Sequence, residues 1–94
     1  MELLFEWDTD KAQRNSRKHK VSFDEAQSVF TDDYSISMSD REHSHTEDRR
    51  IIIGLSNKKR LLVVTYTERG KIIRLISARK ATPRERRTYE EEIT

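Results

Sequence analysis

Cysteine is absent from this chain, and its 94 residues include one proline and two glycines. Without cysteine there can be neither a disulfide framework nor a thiolate metal site. The core must hold without cross-links, as suits a reducing compartment. With so few breakers there is no linker, and no repeat or low-complexity tract divides the sequence, so one domain over residues 1–94 is expected. No apolar run approaches membrane-spanning length. The opening MELLFEWD lacks a basic n-region and a long apolar h-region, so no signal peptide and a cytoplasmic location are expected. Apolar residues are scarce too, at 33% against 38% charged. That composition leans toward disorder when taken alone. The apolar residues are nevertheless clustered in strand-like runs, which fits a thin core beneath a large polar surface.

What is present in excess is charge, unevenly spread. The net charge is only +2, yet residues 49–94 carry 13 Lys and Arg against 5 Asp and Glu, and residues 1–48 carry 6 against 12. A basic half suggests a polyanionic partner. A solvated sheet and helix with scattered cations is the plainer explanation of the same numbers.

Leu3 to Trp7 reads as a short strand. Asp8 or Thr9 can cap a helix running to about His19, on which Ala12 is the only plainly apolar residue. A helix this polar gains little from burial. Ser22 and Glu25 form a capping box, with Val21 and Ala26 as its hydrophobic staple. Phe23, Ala26, Val29 and Phe30 then mark the buried stripe of a second helix. Tyr34, Ile36 and Met38 alternate with serines, the pattern of a strand with one wet face. Asp40 to Asp48 is a polar, acidic loop. Arg50–Leu55, Arg60–Thr67 and Ile72–Ala78 are strands joined by short turns, the second turn carrying Gly70. Thr82, Pro83 and Glu85 start the last helix as N-cap, first residue and capping-box partner. The expected order is β-α-α-β-β-β-β-α, an α+β domain with one antiparallel sheet and a C-terminal helix.

Several segments, in this order and spacing, are similar to the BrnT toxins. The opening Phe5-Glu6-Trp7-Asp8 with Lys11 and Asn15 leads into Arg17-Lys18-His19 and Val21-Ser22-Phe23. Asp48 to Gly54 and Leu61 to Glu68 match in the centre, and Arg74 to Thr82 with Arg84 to Arg87 at the end. A lysine stands at position 20, where the family commonly has a glycine that would ease a left-handed helix end. The resemblance implies a RelE-like fold and a ribonuclease toxin that inhibits translation. It also implies a cognate BrnA-type antitoxin in a hetero-oligomer, 2:2, and DNA contact only through that antitoxin.

RNA carries its own nucleophile, the 2′-hydroxyl, so its cleavage can proceed without a metal or other cofactor. Arginine suits stabilisation of the phosphorane, because its planar fork meets phosphate oxygens in pairs and stays charged. Arg49, Arg74 and Arg79 are the candidates. In a regular strand Arg74 and Arg79 point to opposite faces, and they share one only if a bulge or bend intervenes. His19 is the best titrating candidate, with helix-end capping as its plainer role. Tyr66 is a further catalytic candidate or a packed aromatic. Lys18, Lys80 and Arg84 are candidate RNA contacts, with Arg86 and Arg87 on a solvated helix face. Trp7 could stack a base or belong to the core. His43-Ser44-His45 with Glu47 and Asp48 has no second ligand cluster, so a solvated loop is expected there and no metal site. A non-catalytic nucleic-acid-binding or interaction subunit is the alternative to the enzyme.

Overall fold

The structure, a computed structural model, describes residues 3–40 and 48–93. Its elements are β1 (Leu4–Glu6), α1 (Thr9–His19), α2 (Phe23–Ser28) with a 3₁₀ turn at Val29–Thr31, β2 (Ile36–Ser39), β3 (Arg49–Leu55), β4 (Leu61–Arg69), β5 (Ile72–Lys80) and α3 (Pro83–Ile93). Five strands form one sheet in the order β1-β5-β4-β3-β2. The sheet is mixed, not wholly antiparallel as the pattern suggested. β1 runs parallel to β5, with Leu4 opposite Ile72 and Glu6 opposite Arg74. The remaining pairs are antiparallel. The helices after β1 carry the chain to the far edge of the sheet. The strands then meander back, and β5 arrives beside β1 running the same way.

Local chemistry sets the helix ends. The Asp8 carboxylate accepts the Lys11 N–H at 3.0 Å at the start of α1, and Ser22 accepts the Glu25 N–H at 3.0 Å at the start of α2. The staple residues Val21 and Ala26 are fully buried. α1 ends in a left-handed residue, Lys20, at φ 60° and ψ 32°. Its carbonyl accepts from Arg60 at 3.0 Å, which holds a conformation a lysine rarely adopts. Arg60 also grips both carboxylate oxygens of the buried Glu25, and Ser56 donates to one of them at 2.7 Å. The Arg60 guanidinium, ahead of the opposing effect of burial, holds the Glu25 carboxyl below its ordinary range.

One sheet face carries the main core. Val21, Phe23, Ala26 and Val29 pack on Ile52, Leu62, Val64, Tyr66, Ile73, Leu75 and Ala78. Burying each of the larger aliphatic or aromatic side chains contributes about 1.5–3 kcal/mol. Gly54 lies under this layer, where a Cβ would come 2.8 Å from Val29 Cγ1, so close packing requires glycine there. The opposite face is thinly covered. Ile53, Leu61 and Val63 lie beneath Tyr89, the one buried residue of α3. The Tyr89 hydroxyl donates to Asp32 at 2.6 Å. The same Asp32 carboxylate accepts the backbone N–H of Leu55 at 2.8 Å and of Tyr34 at 3.0 Å.

The buried residue of α1 is polar. Asn15 Oδ1 accepts the Ala78 N–H at 3.0 Å, and its Nδ2 donates at 2.9 Å to the carbonyls of Ala78 and Val21. β1 pairs with β5 only as far as Arg74. Beyond that point the Asn15 carboxamide stands in for the missing strand, which explains how so polar a helix is held to the sheet.

Candidate active site: an arginine face with a basic flank

A β-bulge builds the site. In the β4–β5 pairing Thr65 lies opposite Ser77 and Tyr66 opposite Leu75, which leaves Ile76 as an extra residue. Residues that pair across a ladder share a face. Arg74 pairs with Thr67, and Arg79 with Val63, two positions on the same face of β4. Arg49 of β3 also pairs with Thr67. The bulge therefore meets the condition set by the sequence, and Arg49, Arg74 and Arg79 stand on one face, the one that α3 only partly covers. Asp40, Arg49, Ile51, Thr65, Ile76, Ser77 and Arg79 line a depression of about 320 Å³ there. Arg74 lies one ladder step farther along, paired with the Glu6 carboxylate at 2.9 Å. The Oγ1 of Thr67, in register with both Arg49 and Arg74, is buried and has no hydrogen-bond partner among the described residues.

Arg79 is held by the start of α3. Its Nη1 and Nη2 donate at 2.8 Å to the two oxygens of Glu85. Glu85 also accepts the Thr82 N–H at 2.8 Å, and its own N–H donates to Thr82 Oγ1 at 3.2 Å. One carboxylate thus closes the capping box and fills an arginine fork. The Arg79 guanidinium, more than the opposing burial, depresses the Glu85 carboxyl to about 2, and Glu85 in turn raises Arg79. A depressed carboxyl supports the fold above its unfolded value of 4.5 and loses that support as the pH falls towards 2. Denaturant unfolding between pH 5 and pH 2 should therefore show a steeper loss of stability in the wild type than in Glu85→Gln; parallel curves would remove the pair from the acid limb.

A second depression, about 300 Å³, lies along α1 and is lined by Lys11, Arg14, Asn15, Lys18, His19 and Ile76. Ile76 belongs to both hollows, so the bulge joins the arginine face to a basic flank. His19 is half-buried at the last turn of α1, and Lys18 beside it is exposed. The other candidates are not brought here. Tyr66 faces the main core, 4% exposed. Its hydroxyl lies 2.6 Å from Ser37 Oγ, and its ring packs edge-on against Phe30. It is on the opposite sheet face from the arginines because strand residues alternate. Lys80 pairs with Leu62 on that same opposite face. Arg84 is exposed in the first turn of α3. His43, His45 and Glu47 lie outside the described residues, and Asp48 is exposed. Among the described residues no group of three or more His, Cys, Asp or Glu is placed to hold a metal.

Sequence reasoning did not find Glu85 and Glu6 as the partners of Arg79 and Arg74, nor Thr67 between Arg49 and Arg74. The capping-box spacing at Thr82 to Glu85 announced the helix start but carried no sign of the arginine. Arg50, which donates to Ser37 at 3.3 Å beside Tyr66, was also missed.

These features define a small α+β protein with arginines gathered on an open sheet face and a cationic helix at its edge. The family profile described as ribonuclease toxin, BrnT, of type II toxin-antitoxin system matches residues 7–85, and the chain belongs to that family. Among solved structures it is similar to the ribonuclease toxin BrnT of Brucella abortus, with 24% identity, a TM-score of 0.63, and coverage of 87% of this chain and 97% of that one. That likeness supports the fold. A comparison with curated proteins finds no match. A type II toxin has an antitoxin as its partner. No helix among the described residues is long and apolar enough to cross a membrane.

Proposed function

We propose that this chain is an endoribonuclease of RelE-like fold that cleaves RNA without a metal, by attack of the substrate's own 2′-hydroxyl on the adjacent phosphodiester. The observation that carries the reading is the Ile76 bulge, which puts Arg74 and Arg79 on the face that Arg49 also occupies. In the reaction the 2′-oxygen forms a bond to phosphorus and loses its proton to a base. The bond from phosphorus to the 5′-oxygen breaks, and that oxygen takes up a proton. The products are a 2′,3′-cyclic phosphate and a 5′-hydroxyl. Arginines facing the phosphorane stabilise the charge that develops on its oxygens. The Glu85 carboxylate already occupies the Arg79 fork with two parallel hydrogen bonds, the geometry in which two phosphate oxygens would bind. His19, on the adjoining flank, is the proposed proton acceptor, and Lys18, which lines the same hollow, a cation to carry RNA past it.

The basic face also suits an antitoxin with an acidic or amphipathic segment. A BrnA-type partner in a 2:2 assembly, making all DNA contact itself, in the cytoplasm, is the arrangement proposed. The test of the reaction is cleavage of RNA by purified toxin in excess EDTA. Cleavage should persist, give cyclic-phosphate ends, and vanish when the 2′-hydroxyl at the cut position is removed. Loss of cleavage in EDTA, restored by a divalent cation, would overturn the metal-free mechanism.

A further inference from the structure

On the other flank of α1 lies a hollow that plays no part in the site above. It measures about 360 Å³, the largest of the three hollows described, and is lined by Trp7, Thr9, Ala12, Gln13, Ser16, Arg17, Ser22, Phe23 and Asp24. Trp7 and Phe23 supply its aromatic wall, with ring centroids 5.9 Å apart and an interplanar angle of 83°. Phe23 is buried, whereas Trp7 is only half-buried. The rest of the lining is the Ala12 methyl, three hydroxyls, an amide, a carboxylate and one guanidinium.

The helix pattern links this hollow to the active face. Thr9, Ala12, Gln13, Ser16 and Arg17 are spaced as one side of a helix, and Lys11, Arg14, Lys18 and His19 as the next. α1 is therefore a ridge with the aromatic hollow on one side and the basic flank, continuous with the arginine face, on the other. Its last turn holds Arg17, Lys18 and His19, so cations sit where a phosphate backbone would cross the ridge. The hollow joins an apolar, aromatic wall to a rim of polar side chains. An unstacked base uses both parts, a π-face against an aromatic ring and polar edges for hydrogen bonds.

We propose that the Trp7–Phe23 hollow is a nucleobase subsite. It takes one unstacked base of single-stranded RNA whose backbone crosses the end of α1 to the arginine face. The inference rests on the RNA-cleaving reading and adds the requirement that the substrate be single-stranded on that side. Stacking accepts any base, so the subsite favours open strands over duplex without demanding a sequence.

Trp7 is the sole tryptophan, so its fluorescence reports on the hollow directly. A 2′-O-methyl oligoadenylate cannot react by 2′-hydroxyl attack and serves as the probe, with binding followed separately by anisotropy of a labelled strand. Binding should quench Trp7, whereas inorganic polyphosphate at equal occupancy should not. Trp7→Leu keeps an apolar side chain on Phe23 and should weaken binding of the single strand at least about fivefold, with duplex RNA little affected. Arg17→Gln changes an exposed side chain and should lower the slope of affinity against salt. Binding without quenching, at an affinity that Trp7→Leu leaves unchanged, would overturn the subsite and leave the arginine face standing. Failure of the oligonucleotide to bind at all would overturn both. Quenching by an aromatic antitoxin segment but not by RNA would assign the hollow to the protein partner and overturn the proposal.

Discussion

Arg79→Ala is expected to cleave RNA roughly a hundredfold more slowly than the wild type, the usual scale for losing one preorganised donor to a developing oxyanion. Arg49→Ala and Arg74→Ala should each lose at least about tenfold, or about 1.4 kcal/mol of barrier. The complication is that Arg79 also anchors α3 through Glu85, so a fall in activity could come from a loosened helix. Glu85→Gln separates the two effects. It weakens the same anchor but frees the guanidinium fork, so stability should fall while cleavage is kept or rises. Arg79→Lys retains the charge without the planar fork and should recover little of the rate. Single-turnover rates at saturating RNA, beside unfolding curves for each protein, give the answer. Wild-type cleavage by Arg79→Ala, or an equal collapse of activity in Glu85→Gln, would take Arg79 out of the chemistry.

Asn15→Ala should be the most damaging single change on α1. It deletes three hydrogen bonds, strands the Ala78 N–H and carbonyl, and leaves the Val21 carbonyl only the 3.4 Å bond from Ser16 Oγ. Buried polar groups left without partners cost about 1–3 kcal/mol each, and partial entry of water reduces the sum to about 3 kcal/mol. For a domain of this size that lowers Tm by roughly 12–24 °C. Asn15→Asp should be worse at neutral pH, since a carboxylate can accept from Ala78 but presents charge to two carbonyl oxygens. Its folded pKa would then be raised, so stability should return on acidification. A loss below about 1 kcal/mol in Asn15→Ala, read from denaturant midpoints, would mean that the strand edge is satisfied by something other than this side chain.

Asn15 also shows where sequence reading stops. Much of what is written in local chemistry was legible: a cap at Asp8 or Thr9, the Ser22–Glu25 and Thr82–Glu85 boxes, and the three long strands with their turns. Each of these depends on residues within a few positions of one another. The parallel placement of β1 was not legible, because three residues carry no orientation and their partner lies almost the whole chain away. The bulge at Ile76 carried no glycine or polar mark, so the shared face of Arg74 and Arg79 could be stated only as a condition. Tyr66 and Arg79 both stood out as chemistry-bearing residues of strands. Which face each took depended on register, and register is a tertiary property. The lysine at position 20 kept the left-handed turn that a glycine would have eased, because Arg60 and Glu25 brace it from elsewhere in the chain.

The pairing of Leu4–Glu6 with Ile72–Arg74 has a consequence for how the protein comes into being. Closing so long a loop is entropically costly until other contacts reward it, whereas the hairpins from β3 to β5 close over short separations. Folding should therefore start in that meander, with the first strand and α1 docking last onto an edge that already exists. During synthesis, which releases the N-terminal part first, β1 and α1 must wait for the strand that receives them. The arginine face is completed by Arg79 at the end of that same strand. The arginine face is thus finished only after residues up to Arg79 have left the ribosome and β5 has paired with β4.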